Sequence, residues 1–173
     1  RIAQEEVNAM QELKDMRIWF LWRRKINGGR INKIPFAASG SATGTNERYR
    51  HTWVTYDEAV AAMKEQNAAG VGFVIPKGYF FLDIDHYDLT DPFVKLLLER
   101  FNSYAERSVS GKGIHIYGKC DLEKLPTFLD KNGNIRLDKA YYTKNPNNHL
   151  ELYIGGLTNR FAVYTGDVIL NEP

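Results

Sequence analysis

The stretch that decides the fold is Leu82-Asp83-Ile84-Asp85, which ends a run of strand-forming residues beginning at Tyr79. Successive side chains of a strand point to opposite faces, so Leu82 and Ile84 are predicted to enter a core. Asp83 and Asp85 then share the other face. Two like charges held together on a sheet repel each other, and a bound divalent cation removes that cost. The stretch therefore predicts a sheet with one apolar face and one face that carries a candidate metal site.

Two further segments alternate in the same way. In the run 114–117, the isoleucines point one way while His115 and Tyr117 point the other. In the run 149–154, the polar face carries His149, Glu151 and Tyr153. If these strands are neighbours in one sheet, one open surface collects the residues predicted to be catalytic: Asp83, Asp85, His115 and Glu151.

A glycine-rich loop, Ser108-Val-Ser-Gly-Lys-Gly113, stands directly before the second of these strands. Glycines let backbone N–H groups approach an anion, and Ser110 and Lys112 add a hydroxyl and a positive charge, which suits a phosphate. It is not a P-loop, because that motif opens a helix and this loop opens a strand. A plain glycine turn between two strands fits the same residues, so both interpretations stay open here.

Composition narrows the class of protein. The chain has 173 residues, 43% apolar and 25% charged, which is typical of a soluble globular protein. No apolar stretch reaches the roughly 18 to 20 residues that cross a bilayer. The single cysteine, Cys120, excludes an internal disulfide and leaves no second cysteine for a structural zinc site. We expect a cytoplasmic protein without a membrane partner, excised from a longer chain.

Local signals predict a mixture of helices and strands. A short amphipathic helix is expected within residues 1–16, ahead of a main domain over 17–173. Asn27-Gly28-Gly29 predicts a hairpin turn, and the run 71–75 with the run 79–85 predicts a second hairpin. These strands without a regular βαβ repeat indicate an α+β fold, with helices packed on one face of a mainly antiparallel sheet.

Two helices are expected inside the main domain. Thr55-Tyr-Asp-Glu58 has the form of a capping box and predicts a helix of about three turns that ends at Gly70. Asp91 before Pro92 predicts the start of another helix. Its core-facing side is predicted to carry Phe93, Leu96, Leu97 and Phe101.

Charge is unevenly distributed. The segment 17–50 carries a net charge of +7, with Glu47 as its one acid, whereas the rest of the chain carries −5. Such a segment attracts phosphate backbones, and it also fits a solvated face. The residues predicted to contact a nucleic-acid template are Arg23, Arg24, Lys25, Arg30, Lys33, Arg48 and Arg50. Trp19, Trp22 and Trp53 are interleaved with them, as base platforms or as core residues.

In their order along the chain, these pieces resemble the primase-polymerase branch of the archaeo-eukaryotic primase superfamily. The matching stretches are Leu-Asp-Ile-Asp-His at 82–86, Ser-Val-Ser-Gly-Lys-Gly-Ile-His at 108–115, Leu-Glu-Leu-Tyr at 150–153 and Asn-Arg-Phe-Ala-Val-Tyr-Thr-Gly at 159–166. The resemblance is strongest to catalytic domains of phage and mobile-element replication proteins. It implies an RRM-like catalytic sheet and an N-terminal α/β subdomain with a basic hairpin.

The resemblance also implies a DNA primase or polymerase that adds nucleotides to a 3′-hydroxyl by two-metal catalysis. Metal ligands would be Asp83, Asp85 and Glu151, binding Mg²⁺ or Mn²⁺. The incoming nucleoside triphosphate would contact Ser110, Lys112, His115, Arg160 and Thr165. Further implied partners are a single-stranded DNA template and a helicase, as another domain or a separate protein.

Two other functions are compatible with parts of the pattern. One is a metal-dependent DNA endonuclease or replication initiator, although initiators carry a paired His-x-His and here Ile116 and Tyr117 follow His115. The other is a non-catalytic module that binds single-stranded nucleic acid, for which an acidic cluster is unfavourable unless metal is bound. Nucleotide incorporation on a primed template separates the three.

Overall fold

The computed structural model describes residues 9–137, 144–145 and 149–171. Its helices are α1 (Ala9–Asp15), α2 (Tyr56–Ala62) and α3 (Pro92–Phe101). Its strands are β1 (Trp19–Asn27), β2 (Arg30–Phe36), β3 (Gly70–Val74), β4 (Tyr79–Asp85), β5 (Tyr104–Arg107), β6 (Gly113–Lys119), β7 (Thr127–Leu129), β8 (Ile135–Leu137), β9 (Lys144–Asn145), β10 (Leu150–Ile154), β11 (Phe161–Tyr164) and β12 (Val168–Leu170). Short 3₁₀ helices cover Glu47–Thr52 and Leu122–Lys124. Neighbouring strands pair in antiparallel orientation, and helices with antiparallel sheets confirm the α+β class.

The chain forms two compact units. The four-stranded unit takes Gln11–Val74 and Asn159–Thr165, with strand order β11-β3-β1-β2. The six-stranded unit takes Ile75–Thr158 and the segment from Gly166 onward, with order β12-β5-β6-β4-β10-β9 and a separate β7-β8 ribbon. The helix predicted within 1–16 is described only as α1, since residues 1–8 lie outside the described part. None of the described helices is long and apolar enough to span a bilayer.

The six-stranded unit buries one face of its sheet. Leu82 and Ile84 of β4 pack with Ile114 and Ile116 of β6 in one apolar cluster, as their alternation predicts. Burying side chains of this size stabilises the fold by about 1.5–3 kcal/mol each. Because the isoleucines and Leu82 point into the core, the polar residues between them must point to the opposite face. This alternation positions the candidate site.

Helix α3 covers the apolar face through a different stripe from the predicted one. Its start is as predicted, because the Asp91 carboxylate accepts a hydrogen bond from the Phe93 N–H at 2.8 Å. The stripe that packs on the core consists of Val94, Leu97, Leu98 and Phe101, at the i, i+3, i+4, i+7 spacing of one helix face. The predicted core positions Phe93 and Leu96 are exposed, so that part of the prediction was wrong.

We expect Val94→Ala to lower the free energy of unfolding by about 2 kcal/mol, because it removes two buried methyl groups and leaves a cavity. The matched change Leu96→Ala, at a side chain 47% exposed, should cost under about 1 kcal/mol. Urea denaturation followed by circular dichroism measures both. Equal losses would contradict the assigned stripe.

The four-stranded unit corrects the second predicted hairpin. Strand β3 does not pair with β4; it lies between β1 and β11, while β4 lies between β6 and β10. The glycines of β3 explain its partners: a Cβ at Gly70 would lie 2.7 Å from the Trp22 Nε1 atom, and one at Gly72 would lie 2.8 Å from the Ala162 carbonyl oxygen. Only glycine lets β1 and β11 approach this closely.

Helix α2 is shorter than predicted. Thr55 is its N-cap, with its hydroxyl oxygen accepting from the Glu58 N–H at 3.4 Å, so the predicted capping box is confirmed. The helix ends at Ala62 after about two turns rather than at Gly70. The chain then tightens into i→i−3 bonds, such as Met63 N–H to the Val60 carbonyl, which do not continue an α-helix.

Candidate active site

A row of four ionisable residues crosses the six-stranded sheet. Asp83 pairs with His115 of β6 on one side and with Glu151 of β10 on the other. His115 in turn pairs with Glu106 of β5. Directly opposed residues of antiparallel strands point to the same face. The charged row is therefore Glu106, His115, Asp83 and Glu151, which joins three of the predicted catalytic residues to one that the sequence analysis missed.

The middle of the charged row is closely packed. The Nδ1 atom of His115 lies 3.0 Å from the Oε2 atom of Glu106, and its Nε2 atom lies 3.7 Å from the Oδ1 atom of Asp83. Glu106 is fully buried and His115 is 5% exposed. His115 is therefore held between two carboxylates rather than standing free on an open surface.

An aromatic row lies next to the charged row, two residues along each strand: Tyr104, Tyr117, Phe81 and Tyr153. The Tyr104 hydroxyl donates to the Glu106 Oε1 atom at 3.0 Å, and the Tyr153 hydroxyl donates to the Glu151 carboxylate. The rings of Phe81 and Tyr117 stack with centroids 4.8 Å apart. The aromatic row thus orients both carboxylates at the ends of the charged row.

Asp85 lies two residues beyond Asp83 on the same face, opposite Gly113. A Cβ at Gly113 would lie 2.8 Å from the Ile84 carbonyl oxygen and 3.2 Å from the Asp85 Oδ1 atom, so a glycine is required beside this carboxylate. His149 is not part of the neighbouring strand, contrary to the prediction. It stands before β10 with a φ of 55°, and its carbonyl accepts the Asp85 N–H at 2.9 Å.

The loop between β5 and β6 uses its own backbone donors. The N–H of Gly111 donates to the Ser108 carbonyl, that of Lys112 to the Ser110 hydroxyl oxygen and that of Gly113 to the Ser108 hydroxyl oxygen. These three N–H groups are therefore not available to bind an anion. Binding of an anion by the loop backbone was one of the two interpretations left open by the sequence. An anion at this loop would rely on side chains, and the exposed Lys112 supplies the charge.

A cavity of about 680 Å³ opens beside this loop within the six-stranded unit. Arg107 and Lys112 line it with positive charge, and His86 and Tyr87 line it with aromatic rings. Arg107 also forms an ion pair with Asp167 at 3.2 Å. The volume lies in the range of small-molecule sites. The lining combines two cations and flat rings with one carboxylate, that of Asp88.

Three carboxylates of the six-stranded sheet are the candidate ligands of a divalent cation. Asp83, Asp85 and Glu151 supply hard oxygen donors on one face, which fits Mg²⁺ or Mn²⁺. Within the described ranges, no three Asp, Glu, His or Cys side chains lie close enough together to hold an ion. The donors fit a divalent cation by their chemistry, whereas the convergence of their side chains on one ion stays a prediction.

A comparison with known proteins adds to this geometry. This chain is similar to a phage DNA primase-polymerase. The two sequences, this chain and the protein named DNA Primase-polymerase of Nitratiruptor phage NrS-1, are 29% identical over 172 residues, covering 94% of this chain and 21% of that protein. The chain thus spans about a fifth of the length of this relative. No protein-family model matches this chain.

Two predicted nucleotide contacts lie elsewhere in the chain. Arg160 and Thr165 flank β11 and belong to the four-stranded unit, whereas the charged row and the cavity belong to the six-stranded unit. Ser110 and Lys112, by contrast, lie on the loop that leads into β6 and thus to His115. The structure brings the acidic and glycine-loop residues together in one unit and leaves Arg160 and Thr165 outside it.

The basic hairpin forms as predicted, with its turn shifted by one residue. Gly28 and Gly29 occupy the two central positions, with φ of 57° and 80°, and Asn27 pairs with Arg30. Because opposed residues share a face, the cations divide between two faces instead of forming one surface. One face carries Arg24, Lys33, Ile26 and Ile31, and the other carries Arg23, Lys25 and Arg30.

On the hairpin face of Arg24 and Lys33, two like charges lie opposite each other. Arg24 lies directly opposite Lys33, and both approach the ring of Trp22, at 5.3 and 5.7 Å from its centroid. Beyond them, Ile26 and Ile31 form an exposed apolar pair, 75% and 66% exposed. Among the described residues no acid pairs with either cation. Such a like-charge pair is relieved by a bound anion.

Arg48 and Arg50, which were also predicted to contact the template, have different neighbours. Arg50 donates two hydrogen bonds to the Glu47 carboxylate, at 2.6 and 2.7 Å, and this hydrogen bonding holds the pKa of Glu47 below its usual range. Arg48 packs over the ring of Tyr49. The three tryptophans, Trp19, Trp22 and Trp53, are buried core residues and not base platforms.

Glu106 and Arg107 are the site residues that sequence reasoning missed. They lie on β5, a four-residue strand that carries only two alternations, Tyr104-Ala105 and Glu106-Arg107. A run this short with two charged residues is not separable from a loop by periodicity. The available signal was the i, i+2 pair Tyr104 and Glu106, which repeats the pairing of Tyr153 with Glu151.

Proposed function

We propose that this chain is a nucleotidyltransferase domain of the DNA primase-polymerase type. It would add nucleotides to a 3′-hydroxyl on a single-stranded DNA template. The carrying observation is that Asp83 and Glu151 stand directly opposite each other on adjacent strands, with Asp85 on the same face. Opposed like charges destabilise a sheet, so the arrangement suits a site built for a cation. The similarity to a phage DNA primase-polymerase supports the same proposal.

Asp83, Asp85 and Glu151 would hold Mg²⁺ or Mn²⁺. When bound, such ions supply activation of the attacking hydroxyl and neutralisation of the charge that develops on the phosphates. The Tyr153 hydroxyl, by donating to the Glu151 carboxylate, fixes one of these ligands in place. This hydrogen bond restricts the conformations open to the Glu151 side chain.

The nucleoside triphosphate is assigned to the cavity beside the β5–β6 loop. Lys112 and Arg107 place two positive charges there for the phosphates. Ser110, two residues before Lys112 on the same loop, is proposed to add a hydroxyl contact. The rings of His86 and Tyr87 offer flat surfaces for a base or sugar. The Nε2 atom of His115 faces Asp83 and so reaches the metal-proximal phosphates rather than the base.

The template is assigned to the basic hairpin of the four-stranded unit. Arg24 and Lys33 would contact successive phosphates, which is a sequence-independent, salt-sensitive mode of binding. The apolar pair Ile26 and Ile31 lies next to them on the same face and offers contact to unstacked bases. Buried tryptophans are excluded from this role.

Extension of a labelled primer on a single-stranded template, with Mg²⁺ or Mn²⁺ and nucleoside triphosphates, tests the proposal. Lengthening of the primer one nucleotide at a time is the expected result. Cleavage of either strand instead would favour a nuclease, and binding without extension would favour a non-catalytic module.

Lys112→Ala should raise the KM for the nucleoside triphosphate by about tenfold, since one charge-assisted phosphate contact contributes about 1.5–3 kcal/mol. Template affinity should change less than about twofold. The matched control is Lys95→Ala, an exposed lysine on α3 outside the cavity lining. If Lys112→Ala leaves KM unchanged, the loop is only a turn between strands.

A further inference from the structure

Glu106 is a fully buried carboxylate that the proposed chemistry does not use directly. It lies at one end of the charged row, on β5, directly opposite His115 of β6. Burying a carboxylate costs several kcal/mol, and apolar residues of similar size often replace buried ionic groups without loss of stability. A purely structural role would therefore be served as well by an apolar side chain.

The two oxygens of Glu106 are in contact with Tyr104, Gly166 and His115. The Tyr104 hydroxyl donates to Oε1 at 3.0 Å and the Gly166 N–H donates to the same oxygen at 3.4 Å. The Oε2 atom is 3.0 Å from the Nδ1 atom of His115. A carboxylate oxygen can only accept a hydrogen bond, so a Glu106 carboxylate pairs with a His115 ring that carries a hydrogen on Nδ1.

The orientation of the His115 ring follows from these contacts. Its Nδ1 atom faces Glu106, and its plane meets the ring of Phe81 at 88° with centroids 5.0 Å apart. The Tyr117 hydroxyl, at 3.4 Å from Nδ1, is a longer contact than Glu106. The remaining nitrogen, Nε2, is thereby aimed at Asp83, on the side where the metal and phosphates are proposed to bind.

We propose that Glu106 is a positioning residue that binds Nδ1 of His115 and so fixes the orientation of the ring, with Nε2 facing the side of Asp83 where the triphosphate of the incoming nucleotide is proposed to bind. This inference rests on the proposed function for the ligand of Nε2, while the Glu106–His115 pair stands on its own geometry. A carboxylate that orients a histidine in this way contributes about 10–100-fold to the function of that histidine in metal sites.

A double-mutant cycle tests the proposal. Glu106→Gln should lower kcat/KM for the nucleoside triphosphate by about 10–100-fold in the otherwise unchanged chain. In a chain that already carries His115→Ala, the same change should have less than about a twofold effect, because Glu106 acts only through the lost imidazole. Equal losses in both backgrounds would mean a structural role and would overturn the proposal. Glu123→Gln, at an exposed glutamate of the same unit, is the matched control.

Nitrogen-15 NMR of the His115 ring tests the pair without any activity. The unchanged chain should show a hydrogen-bonded proton on Nδ1, and this resonance should be lost or strongly shifted in Glu106→Gln. Nδ1 without a proton would overturn the proposal. If Glu106→Gln fails to fold, Glu106→Asp is the second variant. It keeps the charge, shortens the reach by one methylene and should show the same loss of the Nδ1 proton resonance.

The two failures are distinguishable. A chain that binds no nucleoside triphosphate and extends no primer, yet shows the Glu106-bound Nδ1 proton, contradicts the proposed function and the assigned ligand of Nε2. A chain that extends primers normally after Glu106→Gln contradicts the positioning role alone.

Discussion

Asp83→Asn is expected to abolish nucleotide incorporation while the chain stays folded. Asp83 is the central carboxylate of the charged row, between His115 and Glu151. Its replacement removes a proposed metal ligand, and metal ions contribute several kcal/mol to transition states of this kind. At 1.36 kcal/mol for each factor of ten, this corresponds to about a thousandfold or more in rate. Primer extension under single-turnover conditions measures it.

The thermal stability of Asp83→Asn should not fall with its activity. Asp83→Asn relieves the repulsion with Glu151, and cross-strand pairs contribute roughly 0.2–1 kcal/mol. The melting temperature should therefore stay the same or rise by up to about 4 °C. Glu99→Gln, at an exposed glutamate on α3, should leave both activity and melting temperature unchanged. Full activity in Asp83→Asn would remove Asp83 from the site.

The pair of substitutions Arg24→Ala and Lys33→Ala is expected to weaken binding of single-stranded DNA on all template sequences alike. Each phosphate contact to a single strand contributes about 0.7 to the slope of log K against log salt concentration, so the slope should flatten by about 1.4. The reason is that these two cations oppose each other on one face, where a phosphate relieves their repulsion. Fluorescence anisotropy of a labelled oligonucleotide at several salt concentrations gives the slope.

The matched control removes two cations from the other hairpin face, with Arg23→Ala and Arg30→Ala. It changes the net charge by the same amount, so a general loss of positive charge would flatten the slope equally in both variants. A larger change in the control would place the template on the face of Arg23. No change in either variant would show that the hairpin is a solvated surface.

Alternation predicted the most informative part of the site. Because side chains alternate along a strand, Asp83 and Asp85 could be assigned to one face from their apolar neighbours Leu82 and Ile84. The same reasoning placed Glu151 and Tyr153 together. Local signals also predicted the caps of both inner helices at Thr55 and Asp91. These features depend on residues within a few positions of one another.

Predictions that depended on which strands pair and which helix face packs on the core were less accurate. The runs around Pro76 read as a hairpin, yet β3 pairs with β1 and β11 because its glycines fit against Trp22 and Ala162. On α3, Leu97 and Phe101 were predicted correctly, whereas Val94 and Leu98 pack on the core in place of Phe93 and Leu96. Phe93 and Leu96 are as apolar as the residues that are buried. Periodicity alone does not distinguish two overlapping apolar stripes.

The sequence by itself determined which residues share a face, where the helices begin and where the positive charge is concentrated, because these follow from backbone geometry over a few residues. The tertiary structure decided which faces meet. Only the register of β5, β6, β4 and β10 joins Glu106 to His115 and opposes Asp83 to Glu151. Only the register of β1 with β2 divides the hairpin cations between two faces. Register is set by long-range packing of whole strands, which no local pattern contains.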